Sequence, residues 1–190
     1  MLYLICAIAL LVVVAILGRS YKAAHVVHFD QKVKEYIKKI PDPIGLSLTV
    51  LSWLTRPLFL GFYAAVVFIC LWLLGPHSQN MYLLGTIVGM ASIEGAKQVI
   101  RRPRIDDPNV LKNGINSFSY PSGHAGSSLL FAMVISTLYP IAPLVVVLMV
   151  GAICVGISRI YIRVHYASDV LGGWLMAVAV YSLLLYFGLK

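Results

Sequence analysis

The chain has 190 residues, of which 60% are hydrophobic and only 12% are charged, and its mean hydropathy is +0.88. Soluble domains carry about a quarter charged residues, so this composition excludes a soluble domain and a disordered chain. A membrane-spanning helix needs about 20 apolar residues, so we expect one membrane domain over residues 1–190. The net charge of +8 indicates a bilayer surface or an anionic substrate as the partner, and not nucleic acid.

The N-terminal part of the chain predicts one span and one helix at the membrane surface. The apolar run Leu2–Leu17 is followed, not preceded, by basic residues, so it predicts a retained span and not a cleaved signal peptide. Within residues 19–43, valines and isoleucines alternate with lysines, which predicts an interfacial amphipathic helix. Pro41-Asp-Pro43 is predicted to end that helix, and Ile44–Leu54 forms a short apolar segment before the next run.

The remainder of the chain predicts five further spans. They cover, in order, Pro57–Leu74, Met81–Ile100, Ser122–Tyr139, Ile141–Tyr161 and Ser168–Phe187. Long unbroken apolar runs favour helices, because a helix bonds all of its backbone polar groups within the segment. The predicted fold is therefore an all-α, polytopic membrane helical bundle with about six transmembrane helices plus the interfacial helix. Alternating span directions place the polar first, third and fifth loops on one face of the membrane.

Three polar clusters lie at the predicted span ends on that face. They are Lys97-Gln-Val-Ile-Arg-Arg-Pro-Arg104, Pro121-Ser-Gly-His124, and Ser158-Arg159 with His165 and Asp169 downstream. Ionisable residues are costly in such positions, so they indicate a functional site.

The residue types of these clusters favour phosphoryl transfer. His165 and Asp169 are four residues apart and would share one helix face, where the carboxylate fixes the imidazole tautomer and leaves Nε2 as base or nucleophile. Ser122 is a predicted N-cap, and a helix N-terminus attracts anions, which would place His124 beside a bound anion. Basic residues in the first and third clusters would stabilise phosphoryl oxygens.

Three motifs of the chain, in their order along the sequence, resemble those of the type 2 phosphatidic acid phosphatase (PAP2) family. They are Lys-x6-Arg, Pro-Ser-Gly-His and Ser-Arg-x5-His-x3-Asp. The resemblance implies that His165 is a nucleophile that forms a phosphohistidine, that Asp169 orients it, and that His124 protonates the leaving lipid oxygen. It also implies that no metal or other cofactor is needed. The phosphate pocket implied by the resemblance consists of Lys97, Arg104, Ser122, Gly123 and Arg159.

The first motif departs from the family pattern at one position. Arg104 is followed by Ile105, whereas the family usually has proline there. An Arg-Pro pair occurs at Arg102-Pro103, so Arg102 is the alternative for the role of Arg104. Apart from that role, Arg102 and its basic neighbours are interpreted as headgroup contacts or snorkelling side chains, and Glu94 is expected to pair with Lys97.

The resemblance implies an integral membrane lipid phosphatase. Undecaprenyl diphosphate, phosphatidylglycerol phosphate and phosphatidate are all possible substrates, and the oligomeric state is left open. One alternative is a lipid phosphotransferase that uses the same histidine site. A second alternative is a non-catalytic, anion-binding membrane transporter with basic residues along its path.

The orientation in the membrane has two conflicting indications. Fourteen of the fifteen Lys and Arg residues lie on the face of the predicted site, which the positive-inside rule places in the cytoplasm. The family resemblance instead implies an active site on the outer face of the cell membrane, and we adopt that expectation.

Overall fold

The computed structural model describes residues 1–54, 78–104 and 118–188 together with Ile69 and Leu73, the side chains of residues 78–84 excepted. Every regular element in these ranges is an α-helix. The helices, in chain order, are α1 (Leu2–Arg19), α2 (Ala24–Ile37), α3 (Asp42–Leu54), α4 (Ser78–Ile100), α5 (Gly123–Leu138), α6 (Ala142–Tyr161) and α7 (Ala167–Tyr186).

The helices confirm the predicted all-α membrane bundle. Among the described residues, α1, α6 and α7 are long and apolar enough to span a bilayer, and α5 is a shorter apolar helix. The predicted span Pro57–Leu74 lies outside the described residues except for Ile69 and Leu73. The count of six spans and the single domain over residues 1–190 therefore stay predictions.

One predicted helix boundary is wrong. The amphipathic helix α2 ends at Ile37, before the Pro41–Pro43 segment that was expected to stop it. Pro43 instead lies in the first turn of α3. A proline fits that turn because the N–H that it lacks would have no helical partner there.

Helix α7 lies at the centre of the bundle. It packs against α1, α5, α2, α4 and α6, whereas α3 packs mainly on α6. The hydrophobic core around α7 includes Ile93, Leu130 and Ala177, each completely buried. By contrast, only 17% of the apolar window of α1 is buried, against 56% for α7. The outer surface of α1 is thus suited to contact lipid.

Small residues let α5 and α7 approach closely at one end of the bundle. A Cβ atom on Gly173 would lie 2.5 Å from the carbonyl oxygen of Ser122, and one on Gly126 would lie 2.8 Å from the carbonyl oxygen of Gly173. The backbone N–H of Ser122 also donates to the carbonyl oxygen of Asp169 at 2.9 Å. This close packing holds the second and third sequence motifs against each other.

Tyr120 fixes the segment that leads into α5. Its ring is completely buried and lies against Gly18 of α1 and Gly172 of α7, where added Cβ atoms would clash with it. Its hydroxyl donates to the carbonyl oxygen of Val14 at 2.7 Å. Helix α1 therefore anchors the start of the Pro-Ser-Gly-His motif.

Candidate active site

The three sequence motifs meet at one end of the bundle. Lys97 lies in the last turn of α4 and Arg159 in the last turn of α6. Ser122 is the N-cap of α5, and Asp169 lies in the first turn of α7. Two helices thus end and two begin around the same site, because consecutive helices run in opposite directions. The fold therefore gathers these polar groups at one end of the bundle, in agreement with the prediction.

His165 and Asp169 come together by a different route from the one predicted. His165 precedes α7, whose first residue is Ala167, so the two side chains do not share a helix face. The loop backbone places the imidazole instead, with the His165 N–H donating to the carbonyl oxygen of Arg159 at 3.2 Å. His165 Nδ1 lies 3.4 Å from Asp169 Oδ2, which is close enough for an ion pair but longer than a good hydrogen bond.

Asp169 is held rigidly by the start of its own helix. Its Oδ2 accepts the backbone N–H of Tyr166, the N-cap residue, at 2.9 Å. The side chain of Asp169 is completely buried. The carboxylate is therefore fixed in the position from which it faces the His165 imidazole.

The other ring nitrogen of His165 faces Arg104. Nε2 lies 3.5 Å from Arg104 Nη1, and the same Nη1 donates to the carbonyl oxygen of Val164 at 2.9 Å. Burial lowers the pKa of His165 well below its ordinary value of 6.5, and the positive charges of Arg104, Arg159 and Lys97 lower it further. The imidazole is thus neutral at physiological pH, with a ring nitrogen directed at a cation.

The N-terminus of α5 presents unsatisfied polar atoms. Within the described part of the chain, neither Ser122 Oγ nor His124 Nε2 has a hydrogen-bond partner, although both atoms are buried. The first N–H groups of a helix also lack helical acceptors and carry partial positive charge. Such a combination fits an anion, since buried polar atoms are normally bonded.

Lys97 reaches the same place from α4. Its Nζ lies 2.7 Å from each carboxylate oxygen of Glu94, so the expected pairing of these residues is confirmed. The Lys97 side chain is 5% exposed and that of Glu94 is 59% exposed. A Cβ atom on Gly123 would lie 2.5 Å from Glu94 Oε2 and 3.2 Å from Lys97 Nζ. The glycine therefore lets this pair lie directly against the start of α5.

Arg159 joins the site from α6 and is positioned by α3. Its side chain is buried, and Nη1 donates to Ser52 Oγ in α3. Among the described residues, no group of His, Cys, Asp and Glu side chains is arranged to hold a metal ion.

Sequence reasoning missed Asp30 and misjudged Arg102. Arg102 is only 3% exposed, so its interpretation as a headgroup contact is wrong: it donates to Asp169 Oδ1 and to Asp30 Oδ2. Arg102 thus faces Asp169, whereas Arg104 faces the imidazole. A signal for Asp30 was present, because this acidic residue lies four positions after Val26 on the apolar face of a lysine-rich helix.

Comparison with known proteins now places the chain in a family. The family model described as the PAP2 superfamily matches residues 79–190, which include all three motifs. The chain belongs to the PAP2 superfamily. Human sphingosine-1-phosphate phosphatase 2 is 31% identical to this PAP2 protein over 114 residues, 55% of this chain and 29% of that protein. The chain thus spans less than a third of the length of that relative.

Two solved structures share the fold of this PAP2 protein. The first transmembrane PAP2-type phosphatidylglycerolphosphate phosphatase from Bacillus subtilis superposes with a TM-score of 0.74 and 21% identity, covering 95% of this chain and 94% of that one. LpxE of Aquifex aeolicus superposes with a TM-score of 0.62 and 22% identity, covering 80% and 93%. The all-α membrane fold and the family indicated by the motifs are both confirmed.

Proposed function

We propose that this PAP2 protein is a metal-independent membrane phosphatase that hydrolyses a phosphomonoester or diphosphate of a lipid through a phosphohistidine at His165. One observation carries the proposal. The neutral His165 imidazole lies between Asp169, at 3.4 Å, and Arg104, at 3.5 Å, beside the unsatisfied N-terminus of α5. A carboxylate behind a nucleophile and cations in front of it are what attack on phosphorus requires.

In the first step, His165 Nε2 attacks the phosphorus atom and the bond to the leaving oxygen breaks. Asp169 stabilises the positive charge that develops on the imidazole. His124 donates a proton to the leaving oxygen; the phosphate charge brought into the site favours its protonated form. In the second step, water attacks the phosphohistidine, His124 accepts the water proton, and phosphate is released. The product lipid is an alcohol, or a monophosphate where the substrate is a diphosphate.

Phosphoryl charge is stabilised by groups from all three motifs. We assign to this role the cationic side chains, the Ser122 hydroxyl and the amides at the start of α5, with Arg104 in preference to Arg102. The preference rests on geometry, because Arg102 is directed at Asp169 and Asp30. The assigned phosphate-binding residues are Lys97, Arg104, Ser122, Gly123 and Arg159.

An apolar cavity beside the site supports a lipid substrate. It has a volume of about 200 Å³ and is lined mostly by apolar side chains of α3 to α6, among them Phe131 and Leu148. Two of its lining residues, Ser127 and Ser128, lie one turn after His124 on α5. We assign this cavity to the hydrocarbon chain next to the phosphate group, because it offers an alkyl chain an apolar surface and very few polar partners.

The deciding experiment is phosphate release by the purified protein in detergent with EDTA present. Undecaprenyl diphosphate, phosphatidylglycerol phosphate and phosphatidate are compared, with His165→Ala as the blank. We expect release from one lipid well above the others and a loss of about four orders of magnitude in the variant. Release abolished by EDTA would contradict metal independence, and label transferred to a second lipid would show a phosphotransferase. A folded protein without turnover on any substrate would contradict the proposal.

We also propose that the site opens on the outer face of the cell membrane. Lys39 is exposed just after the end of α2, in the first loop, which the predicted span directions place on the same side as the site, so a Lys39→Cys variant reports the orientation. A membrane-impermeant thiol reagent is expected to label it on intact cells, with the wild-type protein as the background control. Labelling only after the cells are broken would place the site in the cytoplasm.

A further inference from the structure

Asp30 is a buried acidic residue on the inner face of a lysine-rich amphipathic helix. It is 8% exposed in the middle of α2. Its Oδ1 accepts the backbone N–H of Ser168 at 2.8 Å. Its Oδ2 accepts the Ser168 hydroxyl at 2.8 Å and Arg102 Nη2 at 2.9 Å. These three bonds satisfy a carboxylate that would otherwise be very costly to bury.

The bond to Ser168 places Asp30 at the N-terminus of α7. Ser168 is the second residue of that helix, so its N–H has no helical acceptor. Asp30 therefore caps α7 from another helix, and its charge is stabilised by the positive end of the helix dipole. The residue that follows Ser168 is Asp169, so the cap fixes the turn that carries the candidate catalytic carboxylate.

Arg102 connects the two carboxylates. Its Nη1 donates to Asp169 Oδ1 and to Ser168 Oγ, both at 2.7 Å. The guanidinium lies 4.1 Å from the ring centroid of Tyr166, which holds its plane in place. Together with the bond from Arg102 to Asp30, a continuous chain of contacts runs from α2 to the His165 imidazole.

Charge balance explains why a second carboxylate is useful here. Arg102 paired with Asp169 alone would neutralise it and weaken its interaction with a positively charged imidazole. Asp30 balances the guanidinium, so the buried group of Asp30, Arg102 and Asp169 keeps a net negative charge next to His165.

We propose that Asp30 is a positioning residue for the phosphatase reaction, acting through Arg102 on Asp169 and so on His165. The proposal rests on the proposed function. It gives the amphipathic helix a part in the active site in addition to its predicted contact with the membrane surface.

The test compares Asp30→Asn with Glu35→Gln. Both changes remove one negative charge from α2 without changing size, but Glu35 is exposed and forms an ion pair with Lys38 on the same helix. We expect Asp30→Asn to lower kcat about 10- to 100-fold with little change in KM, since misplacing a catalytic group affects the transition state more than substrate binding. Glu35→Gln is expected to behave as wild type. Asp30→Glu, which restores the charge, should recover part of kcat.

A double-mutant cycle separates a positioning role from a general loss of packing. If Asp30 acts through Arg102, Asp30→Asn should have no further effect on kcat in an Arg102→Gln background. Independent, multiplicative losses would contradict the proposal, and so would a folded Asp30→Asn with the kcat of wild type.

Two further measurements separate a failure of this proposal from a folding defect and from a failure of the proposed function. If Asp30→Asn does not fold, Ser168→Ala retains every charge and removes the hydroxyl that donates to Asp30 and accepts from Arg102, and we expect its kcat to fall about 3- to 10-fold. Folded Ser168→Ala with unchanged kcat would then overturn the proposal. Wild type and His165→Ala are measured alongside: equal phosphate release from these two means that the proposed function has failed, whereas a difference between them leaves Asp30 alone in question.

Discussion

The two sides of the His165 imidazole differ in how their charges are paired. On the Nδ1 side, Asp169, Arg102 and Asp30 are buried and bonded to one another and to backbone. On the Nε2 side, Lys97 is paired with a carboxylate that is 59% exposed. In the described residues, buried Ser122 Oγ and His124 Nε2 have no hydrogen-bond partner on that side, and on the Nδ1 side Arg102 Nε and His165 Nδ1 itself also have none.

This difference separates positioning from binding. A buried charge that is ion-paired with other buried groups is restricted to one geometry, and removing a partner leaves an uncompensated charge behind. A buried polar atom without a partner is destabilising unless a ligand bonds to it. We therefore expect the Nδ1 side to position the imidazole and the Nε2 side to bind an anion.

The largest expected effect comes from the Nε2 side. His124→Ala should lower kcat for a lipid substrate by about 10²- to 10⁴-fold, because the leaving oxygen would depart without a proton. The loss should be much smaller for p-nitrophenyl phosphate, whose leaving group needs no proton. Steady-state assays on both substrates check this, and an equal loss on both would contradict the general-acid role.

The second prediction concerns stability and tests the Nδ1 side. Arg102 and Lys97 have equally buried side chains, 4% and 5% exposed, so Arg102→Gln and Lys97→Gln form a matched pair. Arg102→Gln leaves two buried carboxylates uncompensated and should lower the free energy of unfolding by about 3–5 kcal/mol.

Lys97→Gln frees only an exposed carboxylate and should cost much less stability, while it weakens phosphate binding. Denaturant unfolding in detergent and inhibition by inorganic phosphate measure the two effects. Equal losses of stability in both variants would remove the proposed distinction between the two sides.

The third prediction concerns the cavity next to the Nε2 side. Among the described residues, an added Cβ at Gly151, which lines the cavity, or at Gly95, which does not, would meet no atom within 4 Å apart from its own helix backbone and its chain neighbours. Gly151→Phe should therefore fill the cavity and lower kcat/KM for a long-chain lipid about tenfold. Gly95→Phe serves as the control and should have no effect. A short-chain substrate should be affected by neither change, and an equal loss on long and short chains would contradict the assignment to the hydrocarbon chain.

The smallest effect is a change in pH dependence. In the proposed mechanism the neutral imidazole is the nucleophile, and burial and nearby cations lower the pKa of His165, so the acid limb of kcat/KM should lie below pH 6.5. Arg104→Gln removes one of those cations and should raise the pKa, which moves the limb upward by up to about one pH unit. Because the ionisation of the substrate is the same for both proteins, the difference reports on the enzyme. A shift downward would contradict this arrangement.

The helices and the three motifs could be read from the sequence because their signals are local. An apolar run long enough to cross a bilayer predicts a helix whatever surrounds it. The order Lys97, His124, His165 is equally visible in the linear chain, and so is the pairing of Glu94 with Lys97, three residues away on the same helix. The prediction that His165 and Asp169 share a helix face was wrong, because it placed both residues on one helix, whereas α7 begins two residues after His165. The loop backbone, not helical periodicity, brings the imidazole to Asp169.

Only the tertiary structure decided the roles of Asp30 and Arg102. Each is one charged residue among several in its segment, and the local pattern, an Arg-Pro pair at Arg102 and a family spacing at Arg104, does not show which of the two faces Asp169. Their partners lie 72 and 67 residues away along the chain, and what distinguishes them is burial, which depends on how α2 and the segment after α4 pack against α7. Sequence spacing specified which groups this protein carries for chemistry on phosphate, whereas packing specified which charges are enclosed and which are left to meet a ligand.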